Sequence, residues 1–295
     1  MINEYLNNIE NILSYKKIKY APESKYPEIL SNWFYENTNE KLNLDKPKTF
    51  NEKIQWLKLY DSTPLKTKLT DKYQVRDWVK EKIGEQYLIP ILGVYDNFDE
   101  IDFDILPNRF VIKTNHGCGF NIIIKNKDLI IKEQIKYMIE YYLSINYAFW
   151  SGLELQYKDI IPKIIIEQYI EDENGQLNDY KIICFNSEPK YIWIDTERQT
   201  NHKRNIYDLN WNLLPVALGY PNDEQIIKPP ENLSEMIRIA KILCKDFYHV
   251  RVDLYSIKNN IYFGELTFTS GSGIEKFTPK SCDLIWGDLI NINLN

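Results

Sequence analysis

Two carboxylates, a guanidinium and a glycine-serine turn crowd into one stretch of this chain, His249 to Gly273 (HVRVDLYSIKNNIYFGELTFTSGSG). Its alternation predicts two strands joined by a tight Lys258-Asn259-Asn260 turn. Side chains two apart on a strand share a face. Val250, Val252 and Leu254 point one way; Arg251, Asp253 and Tyr255 point the other. On the second strand Tyr262 and Gly264 share one face, and Phe263, Glu265 and Thr267 share the opposite one. The hairpin can therefore gather Arg251, Asp253, Glu265 and Thr267 on one surface. Such a cluster is costly on a sheet unless it holds a metal or a charged ligand. Asp253 and Glu265 suit Mg²⁺, which takes one or two carboxylates and completes its shell with phosphate oxygens. The turn Ser270-Gly271-Ser272-Gly273 follows directly.

A second group of residues could meet phosphate. Lys113 ends an apolar strand, Arg109 to Lys113, just before the turn Thr114-Asn115-His116-Gly117-Cys118-Gly119-Phe120-Asn121. Another apolar strand, Ile122 to Lys125, follows. The loop joins strand to strand, so it is not a P-loop, which needs GxxxxGK[ST] opening a helix. Backbone N–H groups of a glycine turn can still form a nest for phosphate oxygens. His116 either binds phosphate or shapes the turn. Cys118 has no evident His/Asp relay and reads as a small inert residue. Glu167 sits in the apolar strand Ile164 to Ile170, where it is either paired structurally or reads a ligand edge. Asp102-Phe103-Asp104 mimics a metal-binding DxD but reads as a surface turn.

The elements that position these residues follow from periodicity and punctuation. Residues 1–48 read as polar and helical, with short apolar faces at Leu6 to Leu13 and Ile29 to Phe34. Thr49-Phe50-Asn51-Glu52 is a capping box. It opens a helix with Ile54, Leu57 and Tyr60 near one face, which stops before Pro64. A second helix is expected from Leu69-Thr70-Asp71-Lys72, with Val75, Trp78, Val79 and Ile83 inward and Gly84 as its stop. Residues 128–147 predict an amphipathic helix with Ile131, Ile135, Met138, Ile139 and Tyr142 on its face. After a turn at Asp172–Gly175 come strands Tyr180–Phe185 and Tyr191–Asp195, joined by a hairpin turn at Asn186–Pro189. A polar, cationic segment spans Arg198 to Arg204. Asn232 caps a helix with Leu233, Met236, Ile237, Ala240, Leu243 and Cys244 on its face. A short helix follows the hairpin.

Composition narrows the function classes. The net charge of −6 argues against general nucleic-acid binding. The N-terminus lacks a basic n-region and a clean apolar core, so no signal peptide is expected. No run approaches ~18 consecutive apolar residues, so no membrane span is expected. The four cysteines are scattered without a CxxC pair, which fits a reducing cytosol and neither a disulfide framework nor a zinc site.

Six motifs in chain order resemble the ATP-grasp superfamily, and most closely its TupA-like, teichuronopeptide-biosynthesis branch, found with capsule and cell-surface polysaccharide genes. They are F-N-E-K-I-Q-W-L-K from Phe50, T-D-K-Y-Q-V-R from Thr70, F-V-I-K-T-N-H-G-C-G from Phe110, L-N-D-Y-K from Leu177, N-I-Y-D-L-N-W-N-L-L-P from Asn205, and G-E-L-T-F-T-S-G-S-G from Gly264. The likeness covers about residues 30–290. It implies an α/β (α+β) fold of two α+β subdomains clasping ATP. A reduced helical region would span 1–100 and the ATP-grasp domain 101–295, divided into a phosphate-loop part at about 109–170 and a Mg-binding part at 171–295.

The resemblance also implies roles. Lys72 and Lys113 would neutralise ATP phosphates, and the loop around His116, Gly117, Cys118 and Gly119 would cover the β- and γ-phosphates. Backbone at Gln168, Tyr169 and Ile170 would pair with adenine, Glu167 would lie near its amino group, and Asp179 would meet the ribose. Lys203 or Arg204 would reach the γ-phosphate. Asp253 and Glu265 would hold Mg²⁺, with Thr267 standing where many ATP-grasp enzymes carry Asn. Arg251 would stabilise the acyl-transfer transition state, and Ser270, Gly271, Ser272 and Gly273 would orient the acceptor. The usual N-terminal α/β substrate domain is not expected, since about 100 largely helical residues precede Lys113.

The expected activity is that of a cytoplasmic, bacterial carboxylate–amine ligase using ATP and Mg²⁺ through an acylphosphate. It would join an amino acid or amine to a uronic-acid carboxylate of a capsular or cell-surface polysaccharide precursor. Its partners would be a small-molecule or saccharide carboxylate and an amine. A glycosyltransferase of polysaccharide biosynthesis and an ATP-grasp kinase are the alternatives.

Overall fold

The computed structural model describes residues 14–171, 177, 179–196, 201–225 and 227–293. The expected apolar face at Leu6–Leu13, the turn at Asp172–Gly175 and residues 198–200 of the cationic segment lie outside the described residues. Helix α1 (Tyr26–Thr38) precedes α2 (Phe50–Tyr60). The capping box forms as expected: Thr49 accepts from the Glu52 N–H, and Glu52 accepts from the Thr49 N–H. Ile54 and Leu57 are buried, but Tyr60 is exposed, because the last turn of α2 leaves the core. Pro64 does not mark a gap before a helix starting at Leu69. It occupies the first turn of α3 (Pro64–Thr70), where its missing N–H is harmless, with Thr63 as the cap. Helix α4 then begins at Val75 and runs to Lys82.

Two antiparallel sheets form the body of the molecule. The smaller has the order β1-β4-β2-β3, built from β1 (Ile91–Tyr95), β2 (Phe110–Thr114), β3 (Asn121–Ile124) and β4 (Ile164–Gln168). One face buries Phe110, Ile112, Ile164 and Ile166 beneath α5 (Lys132–Ser144). The register pairs Lys113 with Ile165 and Val111 with Glu167, so both ionisable side chains leave by the opposite face. Ile131 and Met138, expected inward on α5, are exposed; Ile135 and Ile139 carry the burial.

The larger sheet has the order β10-β9-β5-β6-β7. Its strands are β5 (Asp179–Phe185), β6 (Glu188–Thr196), β7 (Lys203–Asp208), β9 (His249–Ile257) and β10 (Asn260–Thr267). The short β8 (Ala217–Leu218) pairs instead with β11 (Phe277–Thr278). Strand β7 occupies part of the segment expected to be merely polar and cationic, because Ile206 and Tyr207 are buried there. One face of the large sheet packs on α6 (Leu233–Leu243) through Ile182, Ile194, Val252 and Leu254. Ile239 is a buried contact of α6, where Ile237 was expected. Asn232 is the N-cap residue but makes no side-chain cap bond; its amide is spent on Asn259 and Ser256 instead.

The opposite face of this sheet is divided. Ile183, Phe185, Trp193 and Ile206 lie under α2 and α7 (Ser281–Asp288). Asp179, Lys181, Arg251 and Asp253 share that face but are not covered by this cluster. The loop between β2 and β3 comes close to that half, where Lys72 reaches both Gly117 and Glu265.

Candidate active site

The hairpin reaches its working geometry through an irregularity that strict alternation misses. Between Phe263 and Glu265 the register slips by one residue, so Phe263 pairs with Leu254 while Glu265 pairs with Asp253. This bulge at Gly264 puts Phe263 in the core, opposite the face assigned from alternation, and leaves Glu265 beside Asp253. Gly264 also allows close approach, since a Cβ there would stand 3.1 Å from the Asp253 carbonyl oxygen.

Arg251 links the two acids. Its Nε donates to Asp253 Oδ1 at 2.7 Å, and Nη2 donates to Asp253 Oδ2 at 2.6 Å and to Glu265 Oε1 at 3.1 Å. Thr267 donates its hydroxyl to Glu265 Oε1 at 2.9 Å. On β5, Lys181 sits opposite Asp253 and pairs with Asp179 and, at 3.3 Å, with Asp195. Burial pushes Asp253 up to about 7, with Asp179 adding to it and Arg251 pulling the other way. For Glu265, burial also pushes upward, but Lys72 and Arg251 outweigh it and hold the carboxyl below its ordinary value.

The glycine loop comes close to these residues. Asn115 ties it to the start of β4, accepting from the Lys163 N–H at 2.6 Å and donating to the Ile161 carbonyl at 3.0 Å. His116 is buried, with Nε2 at 3.2 and 3.1 Å from the Tyr142 and Ile145 carbonyls at the end of α5. Burial holds its pKa below the ordinary value. Nε2 thus ties the turn to the helix end, while Nδ1 makes no hydrogen bond. Gly119 has φ +76°, and a Cβ there would meet nothing within 4 Å, so conformation rather than space requires glycine. Lys72 links the loop to the hairpin: its N–H donates to the Asn115 carbonyl, its ammonium donates to the Gly117 carbonyl, and Nζ lies 4.0 Å from Glu265 Oε2.

Glu167 resolves to a paired group. Lys113 forms an ion pair with one of its oxygens, and Arg76 Nη1 lies 3.6 Å from the other. Beside it, Gln168 and Ile170 line a cavity of about 640 Å³ together with Arg76, Leu88, Ile91 and Tyr262. A smaller hollow of about 360 Å³ adds Tyr169 and Arg109 to the same edge. Neither cavity includes the phosphate-side residues.

Lys203 and Arg204 separate onto opposite faces of β7. Arg204, on the Arg251 face, is buried between Asp195 and Glu275 at 2.6 Å each and lies over the Trp193 and Tyr220 rings. Lys203 lies on the other face, 3.7 Å from Asp223. Residues 270–273 form a tight turn anchored by α2. Sequence reasoning missed Lys181 and Asp195 on the Arg251 face of the large sheet and the buried polar residues Gln55, Lys58 and Glu154 around that turn. Polar residues at positions 51, 55 and 58 of a helix with an otherwise apolar face were the available signal.

Among the described residues no group of three His, Cys, Asp or Glu side chains could hold a metal ion. Mg²⁺ needs fewer protein ligands when phosphate oxygens complete its shell. Asp253 and Glu265 fit that requirement. They are hard carboxylate oxygens side by side, both held by the Arg251 guanidinium. Lys72 and Lys113 are cations on the glycine-loop side, one at the Gly117 carbonyl and the other paired with Glu167.

Two antiparallel sheets with helices packed on them, linked by Lys72 between the Gly117 carbonyl and Glu265, make this an α+β protein. The chain belongs to the TupA-like ATPgrasp family, whose pattern matches residues 52–291. Its fold is the ATP-grasp fold. Similar solved structures include D-alanine–D-alanine ligase from Bacillus anthracis complexed with ATP, at 16% identity and TM-score 0.41 over 75% of this chain and 63% of that one. The RimK domain protein ATP-grasp from Sphaerobacter thermophilus is similar at 12% identity and TM-score 0.41, over 76% and 69%. The ATP-grasp ligase PsnB, complexed with minimal precursor, Mg and ADP, is similar at 11% identity and TM-score 0.38, over 70% and 53%. The chain thus spans under two thirds of the length of the Bacillus anthracis ligase. No curated protein matches it. Among the described residues, no helix is long and apolar enough to cross a membrane.

Proposed function

We propose that this protein is an ATP- and Mg²⁺-dependent carboxylate–amine ligase. Its carboxylate is a uronic acid of a surface-polysaccharide precursor, and its amine is an amino acid or similar small amine. The observation that carries the ligase reading is the facing of Lys72, Lys113 and the Gly117–Gly119 loop against Arg251, Asp253 and Glu265. Family membership supports the nucleotide. The polysaccharide substrate rests on the motif resemblance.

The chemistry needs no protein nucleophile. A carboxylate oxygen of the substrate attacks the γ-phosphorus, the bond to the β-phosphate oxygen breaks, and ADP leaves. The amine then attacks the acyl carbon, loses a proton and expels inorganic phosphate, giving an amide. Lys72 and Lys113 offset charge on the phosphates, and Arg251 stabilises the oxyanion that forms on the acyl carbon. Bound Mg²⁺, held by Asp253 and Glu265, supplies Lewis-acid stabilisation of the transferring phosphoryl group. Backbone at Gln168–Ile170 takes adenine, Asp179 the ribose, and the Ser270–Gly273 turn the acceptor. Of Lys203 and Arg204, Arg204 is the one on the site face of β7 and the candidate to meet the γ-phosphate.

An ADP-release screen of uronic acids against amines tests this reading. Amide, ADP and phosphate should form in equal amounts. Asp253→Asn and Glu265→Gln should each lower turnover by at least ~100-fold; wild-type rates in both would remove the site assignment. A phosphorylated acceptor with no amide would make the protein a kinase. Calorimetric binding of a UDP-sugar with none of ATP would make it a glycosyltransferase.

A further inference from the structure

Helix α2 carries a buried polar stripe that the nucleotide does not require. Asn51, Gln55 and Lys58 recur at steps of four and three, so they share one helix face. All three are buried, Lys58 completely. Their donors converge on one piece of main chain. Asn51 donates to the Glu275 carbonyl at 2.9 Å, and Gln55 to the Ser272 and Gly273 carbonyls at 3.0 and 2.7 Å. The Lys58 ammonium donates to the Ser272 carbonyl at 2.8 Å and to its hydroxyl at 2.9 Å.

The segment they hold is conformationally demanding. Gly271, Ser272 and Gly273 have φ of 56°, 50° and 63° in succession, and left-handed backbone at a serine is uncommon. The loop between α5 and β4 closes on the turn from the other side. Glu154, also buried, accepts from the Thr269 hydroxyl, Gln156 donates to that hydroxyl at 2.8 Å, and Ser272 donates its hydroxyl to the Ser151 carbonyl at 3.3 Å. Tyr147 of the same loop packs edge-on against Phe120 of the glycine loop, 5.7 Å between centroids. The turn is thus gripped between a buried cation and a buried anion, next to the phosphate-covering loop.

An ammonium without water is expensive to keep. Burial pushes Lys58 down to about 7 while Glu154 pulls it up, and the group also lies 4.4 Å from the Trp33 ring centre. An apolar side chain would fill the space at lower cost, so the use of the cation lies in the geometry it fixes.

We propose that Lys58, with Glu154 across the turn, is a positioning residue that fixes the Ser272 hydroxyl and the 270–273 main chain for the amine acceptor. The assignment rests on the ligase reading, and wild-type turnover in the ADP-release screen settles that reading first. The test uses full-length Lys58→Met, Lys58→Arg and Glu154→Gln, assayed on the pair the wild type converts. Lys58→Met should leave the Kd for Mg–AMPPNP within about twofold, raise the KM for the amine at least ~10-fold, and release ADP without matching amide. Lys58→Arg should recover a large part of the lost kcat/KM, and Glu154→Gln should reproduce the amine effect. An unchanged amine KM in Lys58→Met overturns the proposal. So does equal weakening of nucleotide and amine with no recovery by arginine, which marks a purely structural lysine. Amide exchange decides the positioning without any substrate. Exchange over 269–275 should quicken about tenfold in Lys58→Met while that over 249–257 holds, and equal rates over 269–275 in variant and wild type overturn it.

Discussion

Arg251 holds the charge balance of the site, because it donates to both acids that would face Mg²⁺. Removing one member of a buried ion cluster leaves uncompensated charge, which costs about 3–5 kcal/mol. Arg251→Met should therefore lower the unfolding midpoint, and millimolar MgCl₂ should raise the variant's midpoint more than the wild type's. Scanning calorimetry with and without MgCl₂ checks this; an equal response in both chains would remove the cation from the Asp253–Glu265 pair. His249 weakens the fold in acid. Burial, aided by Lys66, holds its imidazole down to about 3 from 6.5, with Nδ1 against the Cys184 carbonyl and Nε2 accepting from Ser270. The unfolded chain takes up that proton between about pH 6.5 and 3 and the native chain does not. The stability from neutral His249 is thus present above pH 6.5 and lost as pH falls, about 3–5 kcal/mol in all. Asp283 acts oppositely: burial raises it to about 6, so the native chain binds the extra proton between pH 6 and 3.8 and gains stability as pH falls. Asp253, raised to about 7, acts in the same sense as Asp283, so urea unfolding from pH 7 to 5 should show wild-type stability falling relative to that of His249→Gln, the difference isolating the imidazole.

At the scale of elements, close approach decides more than propensity. Helix α7 lies so near the start of α2 that a Cβ on Gly287 would fall 2.0 Å from the Lys48 carbonyl oxygen. Gly287→Ala should cost roughly 3 kcal/mol through forced separation of the two helices, read as a lower urea midpoint with unchanged m. Thr49→Ala removes one capping bond and should cost about 1 kcal/mol. The cap was legible in four consecutive residues because both of its bonds are local. The approach at Gly287 was not, because its partner lies over two hundred positions away. The β9–β10 hairpin shows the same division. Alternation placed Arg251, Asp253 and Glu265 on one surface, and they are there. It also placed Phe263 with them, which the bulge at Gly264 reverses. Strand β7 hid behind a polar, cationic start, though Ile206 and Tyr207 are as buried as residues of central strands.

For the whole molecule, Lys72 bridges the gap between the two sheets, from the Gly117 carbonyl to Glu265. A ligand filling that gap adds contacts to both sides. Mg–ATP at a hundred times its Kd should stabilise the fold by about 2.7 kcal/mol, and Lys72→Met should lose most of that at the same concentration. Thermal shift with and without Mg–ATP reads both. The sequence alone determined the order of the chemistry-bearing residues, the alternation that turns each toward a sheet face, and the glycines and caps that punctuate the elements. These are local, set by chain geometry over a few residues. Tertiary structure alone decided which charges meet. It brought Lys72 across to Glu265, spent His116 on the carbonyls of a helix end, sent Lys203 and Arg204 to opposite faces, and buried Lys58 against the 270–273 turn. Those outcomes depend on the packing of segments distant in the chain, where burial and a partner's charge, rather than residue type, fix what an ionisable group can do.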